Sequence, residues 1–281
     1  MKKILLLFLT TLFLSQPCFA WSWVSFQSEE RAVEKLLKSQ VKYANRTNFD
    51  KFIKTFDPKY VNSDGFNLDI YSSLVKDIWN TYDNIKYEID IKNIAINGNK
   101  ATVELVETSF ANITMTKAYD GELKSEAETI YYLEKINGDW KVVSDTVLDE
   151  TTSILYGQAK GLDVKLTVPN KIEANKEYCA TLEFTPPQET LAIASIAADI
   201  VEYPQKPTEE IFRALPEDNI LERLFTSNTK NANEYVVASI GLTKTSVCDL
   251  NLKLSLIGFG YAIKRVNVIP AENGENNVKD E

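Results

Sequence analysis

The sequence predicts an α+β protein in two parts: a helix-first module, then an all-β sandwich with a helical insertion. Three observations carry this. Hydrophobic spacing follows the 3.6-residue period from Ser28 to Tyr82 and then switches to period 2. Turn signals at Asn97-Gly98, Asp120-Gly121 and Asn137-Gly138 punctuate the strands that follow. Beyond residue 162 helical spacing is scarce and short strand patterns recur. A length of 281 residues suits about two domains.

Residues 1–20 read as a signal peptide. Lys2 and Lys3 form the positive start, Ile4 to Leu14 the apolar run, and Cys18-Phe19-Ala20 the small-residue site before a cut after Ala20. The run is too short for a permanent anchor. Acylation of Cys18 is the alternative, and Pro17 beside it fits that poorly. The style of the signal is bacterial, so the expected location is periplasmic or secreted. Loss of the two lysines takes the net charge from −9 to −11.

The first helix is expected from Ser28 to near Asn45–Asn48, with Val33, Leu36, Leu37, Gln40, Val41 and Ala44 recurring on one side. A second covers Phe49 to Phe56 and stops at Asp57-Pro58. A third runs from about Asn67 to Tyr82, with Tyr71, Leu74, Val75, Ile78 and Trp79 inward. Tyr60 and Val61 form a brief strand between them. Four strands follow: Ile85 to Ile96, Ala101 to Met115, Thr129 to Ile136, and Trp140 to Val147.

This order, with the closing hairpin Tyr131-Tyr132-Leu133-Glu134-Lys135-Ile136-Asn137-Gly138-Asp139-Trp140-Lys141-Val142-Val143-Ser144-Asp145, resembles the NTF2-like superfamily of SnoaL and ketosteroid-isomerase type. The resemblance covers residues 29–150. It implies a cone of three helices on a curved antiparallel sheet, with an interior that takes a small apolar ligand or a protein partner. It also implies dimerisation through the open face of the sheet.

Residues 151–162 read as a linker and 163–270 as the sandwich. Its strands fall near Val164–Val168, Tyr178–Phe184, Leu191–Val201, Tyr235–Leu242, Asp249–Leu256 and Tyr261–Ile269. Two helical patterns, from Thr208 and from Glu217 to Phe225, form the insertion, which caps the sandwich or offers an apolar partner surface. Gly258-Phe259-Gly260 reads as a bulge or tight turn. This half resembles an immunoglobulin-like domain, although no Trp lies beyond Trp140 to fill its core. Residues 271–281 are polar and acidic and are expected to be disordered.

In an oxidising compartment the two remaining cysteines, Cys179 and Cys248, form a disulfide by default. The loop of about 70 residues that they close contributes roughly 4 kcal/mol in the chain-entropy account.

The chain has no histidine, which removes Ser-His-Asp triads, Cys-His pairs and His-ligated zinc. The acidic balance argues against nucleic acid as the partner. No glycine-rich phosphate loop is present, the Asp57, Asp64 and Asp69 spacing does not match an EF-hand, and neither cofactor nor metal is expected.

Proton transfer in such a cone needs a carboxylate in an apolar cavity and a hydroxyl donor. Glu107, Asp64 and Tyr60 are the catalytic candidates, and Tyr71, Tyr87 and Glu107 the ligand-binding ones. Glu107 alternates with Val103 and Leu105, which points it into the cone or leaves it at the rim. Tyr131, Tyr132 and Trp140 read as a binding face or as core. The expected function is an exported two-domain binding protein. The alternative is an isomerase- or hydrolase-type enzyme.

Overall fold

The structure is a computed structural model that describes residues 19–82, 84–116, 119–206, 209–248 and 251–271. The segment expected as a signal peptide, as far as Cys18, and all but the first residue of the tail expected to be disordered lie outside them. Among the described residues no helix is long and apolar enough to cross a membrane.

The N-terminal half keeps the expected element order. Helix α1 spans Phe19–Ala44, α2 Phe49–Ile53 and α3 Leu68–Thr81. Val33, Leu37, Gln40 and Ala44 form the buried stripe of α1, at steps of three and four residues. Asn48 and Asn67 cap α2 and α3, their side chains accepting from the N–H groups of Lys51 and Ile70. Strands β1 (Lys86–Asn97), β2 (Lys100–Thr116), β3 (Tyr119–Ile136) and β4 (Asp139–Gly157) form an antiparallel meander. The β3–β4 turn holds Asn137 and Gly138 at φ 53° and 92°, the left-handed pair that a two-residue hairpin needs. Val33, Leu37, Phe52, Phe56, Val103 and Val142 belong to the core between helices and sheet.

The expected fold class is corrected in its second part. No separate sandwich follows a linker, and no helix forms among the described residues after α3. Residues 151–157, expected as linker, are the end of β4. Beyond them come β5 (Lys165–Thr167), β6 (Lys171–Glu173), β7 (Glu177–Glu183), β8 (Leu191–Ile200), β9 (Arg213–Ala214), β10 (Ile220–Thr226), β11 (Glu234–Cys248) and β12 (Asn251–Ile269).

One nine-stranded sheet runs through both halves in the order β1-β2-β3-β4-β12-β11-β8-β9, with β6 beside β12. The join is the antiparallel ladder from Gly157↔Gly258 to Thr151↔Lys264. The other part of β4's free edge is taken by the chain before α3, which donates from Asp57 N to Val142 O at 2.8 Å and from Ser63 N to Asp145 O at 2.9 Å. A three-stranded sheet, β10-β7-β5, packs Ala180, Leu182 and Phe184 against Ala194, Ile196, Val236 and Ile240 of the large sheet.

Several local expectations change for identifiable reasons. Leu221 and Phe225 lie four residues apart, a spacing that suits one helix face and one strand face alike, and strand pairing with β7 decides for β10. Gly121 is a strand residue of β3 and not a turn, because the ring of Tyr156 covers it: a Cβ there would lie 2.5 Å from that ring. Cys179 is a free, exposed thiol. It alternates with the inward Tyr178 and Ala180, so it points out of the layer that an inter-sheet bridge would have to cross. The side chain of Cys248 lies outside the described residues. The bulge expected near Gly258 is present, since Leu242 pairs Gly258 while Thr243 pairs Leu256, and the two expected late strands are one, β12.

Gly258 permits the join. A Cβ there would lie 2.5 Å from Ala159 N and 2.9 Å from Gln158 N, both backbone atoms. Gly258→Ala is therefore expected to cost about 1–3 kcal/mol, the usual range for overpacking. All four tryptophans, at 21, 23, 79 and 140, precede the join, so Trp fluorescence reports the N-terminal half alone. In a urea titration the fluorescence midpoint should fall in the variant; an unmoved midpoint would mean that the halves unfold separately.

Candidate functional site

Between the helices and the sheet lies a cavity of about 90 Å³. Leu37, Gln40 and Ala44 of α1 form one wall, and Leu105 and Glu107 of β2 with Tyr131 of β3 form the opposite one. Tyr71 and Tyr87 also line it, so the three expected ligand-binding residues, Tyr71, Tyr87 and Glu107, meet around one space.

Packing positions each of them. Tyr71 sits among Phe52, Phe56 and Tyr60, with ring centres 6.4, 5.1 and 5.4 Å away. The Tyr87 hydroxyl accepts from Trp79 Nε1 at 3.1 Å, and burial pushes its pKa up to about 12. Gln40 is 5% exposed, and its amide nitrogen has no hydrogen-bond partner among the described residues. Such an orphan donor costs about 1–3 kcal/mol.

Glu107 accepts from the hydroxyl of Tyr131. Burial of the carboxyl pushes its pKa up to about 7; the Tyr131 bond pulls the other way, and the charges of Asp145 and Glu150 add to the rise. Asp145 repeats the arrangement one strand over. It is the register partner of Tyr131, accepts from the hydroxyl of Tyr60, and is pushed up to about 6, again chiefly by burial. Glu150 accepts from Tyr235 Oη at 2.9 Å, and burial raises it too.

Asp64 and Tyr60, the other catalytic candidates, do not line the cavity. Tyr60 is fully buried with its hydroxyl on Asp145. Asp64 is held by Arg265 in a two-bond clamp at 2.6 and 3.1 Å, and Asn233 Nδ2 donates to it at 2.7 Å. Its side chain is 6% exposed and that of Arg265 is 1%. Tyr131 and Trp140 face inward, whereas Tyr132 is exposed. Among the described residues no group of three Asp, Glu or Cys side chains is placed to hold a metal ion.

The sequence reading did not single out the polarity of Gln40, nor Asp145, Glu150, Tyr235 or Arg265. Gln40 carried a signal, as the polar member of an apolar helical stripe. Asp145 carried none: Trp140 and Val142 face inward on even positions, and a register shift at Tyr132/Leu133 moves the inward phase to odd ones.

A family model described as the C-terminal domain of the anti-sigma-I factor RsgI9 matches residues 35–154. No curated protein matches. Among solved structures, a conserved protein from Planctomyces limnophilus DSM 3776 is similar at 10% identity, over 42% of this chain and 94% of that one, with a TM-score of 0.38. An NTF2-like protein of unknown function from Pseudomonas putida KT2440 is similar at 9% identity, over 43% and 86%, with a TM-score of 0.32. Bd1075 of Bdellovibrio bacteriovorus is similar at 14% identity over 42% of this chain, with a TM-score of 0.35; the match spans 39% of that protein's own length.

Two predictions follow from the site's electrostatics. Arg265→Met leaves the Asp64 carboxylate buried and unpaired, a loss of about 3–5 kcal/mol by urea unfolding, and adding Asp64→Asn should recover part of it. A full loss retained in the double variant would count against the clamp.

The second concerns pH. Glu107 rises from 4.5 to about 7 on folding and Asp145 from 3.8 to about 6, so the folded chain holds protons that the unfolded chain releases. Their contribution is most favourable below the unfolded values and is lost as pH climbs to about 7. Glu107→Gln should raise the urea midpoint at pH 8 and flatten its decline between pH 5 and 7.5; an unchanged decline would assign it elsewhere.

Proposed function

We propose that this chain is an exported bacterial binding protein whose helix-covered half receives a small polar group in the cavity between Gln40 and Glu107. The continuous sheet and its second layer serve as the scaffold. The observation that carries this is Gln40: the residue lines the cavity, and its buried amide nitrogen has no hydrogen-bond partner among the described residues. The matched family model bears the name of the C-terminal domain of an anti-sigma factor, which suits a binding or regulatory role. The signal-like N-terminus supports export.

Enzymatic proton transfer is the second reading, and the pKa of Glu107 near 7 favours it. Against it, the Tyr131 hydroxyl is spent on Glu107 itself and is not aimed at a substrate oxygen.

The test is NMR titration with acetamide, acetate and isopropanol, watching the side-chain signals of Tyr71, Tyr131 and Gln40. At least one probe should shift all three. Ala44→Leu adds three carbons to the cavity wall and should abolish the shifts while the rest of the spectrum persists. Shifts that survive Ala44→Leu, or no shift in the parent protein, would sink the reading.

A further inference from the structure

The cavity is small. At about 90 Å³ it holds about three waters at ~30 Å³ each, far below the roughly 300–1,000 Å³ of ordinary ligand pockets. That is room for one side chain. The cavity shares Val41, Tyr87, Glu88 and Ile89 with a groove of about 510 Å³ that runs between α1 and β1.

The far wall of this groove is a strand edge, because β1 is the outermost strand of the large sheet. Tyr87 shows which way that edge faces. Its N–H donates to Asn45 Oδ1 and its C=O accepts from Asn45 Nδ2, both at 2.8 Å, so both groups point away from β2. Ile89 and Ile91 share the parity of Tyr87 on β1, and the register stays regular from Tyr87↔Ser109 to Ile91↔Leu105. Their N–H and C=O groups therefore face the groove, and no described residue bonds them. The side-chain amide of Asn45 does at Tyr87 what a neighbouring strand would do at the next two sites.

We propose that an extended segment of a partner protein adds to the β1 edge at Ile89 and Ile91 and inserts one carboxamide side chain, Gln or Asn, into the cavity. This rests on the cavity being a binding site. The main chain pairs with the edge, and the inserted side chain sets the specificity. Inside, Gln40 turns its amide nitrogen toward the inserted group and donates to the carboxamide oxygen, and Glu107 accepts from its nitrogen. A carboxylate would face Glu107, an ammonium would leave the Gln40 donor unpaired, and an aliphatic group would satisfy neither.

The probe is the acetylated, amidated heptapeptide KTVQVTK, with KTVLVTK as its control, measured by calorimetry and by backbone amide exchange on the full chain. The Gln peptide should bind at least tenfold tighter than the Leu peptide and slow exchange at the Ile89 and Ile91 amides at least tenfold. Ile91→Pro removes one edge donor without touching the cavity lining. It should lose the peptide and still respond to acetamide; the exchange result on the parent protein stands even where that variant misfolds.

If acetamide enters the cavity but the peptide protects neither amide, or the two peptides bind alike, the strand-addition proposal fails and the cavity reading stands. If neither probe binds, both fail. Protection of Ile89 and Ile91 in concentrated peptide-free protein assigns the edge to a second copy of the chain and also overturns the proposal.

Discussion

The pairing of β12 with the last third of β4 is the constraint on which the rest of the molecule depends. It turns two modules into one sheet and sets the second layer on one side and the helices on the other. Glycine at 258 and 260 lets the strands approach this closely, since a Cβ would meet Ala159 N and the Leu155 side chain at 2.5 Å. The ring of Phe259 between them stacks on Tyr156 at 4.6 Å, and that ring covers Gly121 on the next strand. Close backbone approach and aromatic cover are two halves of one arrangement.

The same pairing explains the electrostatics. Arg265 reaches Asp64 because β12 lies beside β4, so the guanidinium that neutralises this part of the core comes from the opposite end of the chain. Glu107, Asp145 and Glu150 have no such partner. Each takes a tyrosine hydroxyl, which satisfies one oxygen without cancelling the charge. Burial then drives all three upward. In a chain without histidine, Glu107 and Asp145 stand where histidines ordinarily titrate.

The helices were legible because their apolar stripes are long and polarised, and the β1–β2 and β3–β4 hairpins because Gly98 and Asn137-Gly138 are left-handed turn residues; Asp120-Gly121 misled, being strand. The meeting of Tyr71, Tyr87 and Glu107 was legible in outline, since each falls on the inward phase of its element. What failed depended on long-range partners. Residues 151–157 read as linker because nothing local says that β12 will pair with them. Leu221 and Phe225 fit helix and strand equally, and distant β7 decides. Cys179 and Cys248 suggested a bridge by number, but number does not tell which face of a strand a thiol occupies. On β4 the inward phase changes at two register shifts, which hid Asp145 and then Glu150.

The polar content of the cavity is what separates it from a packing defect. An apolar residue in place of Gln40 would remove an unpaired amide, and one in place of Glu107 would remove a carboxyl that burial has already pushed to the edge of neutrality. Both groups work against stability. They line one space of side-chain size, next to a strand edge whose outward backbone groups no described residue bonds. An orphaned amide, a carboxyl with one oxygen held by Tyr131, and an open strand edge, contiguous and complementary to a single extended segment, make a coherent surface for a partner, and the scaffold that tolerates their cost is the continuous sheet behind them.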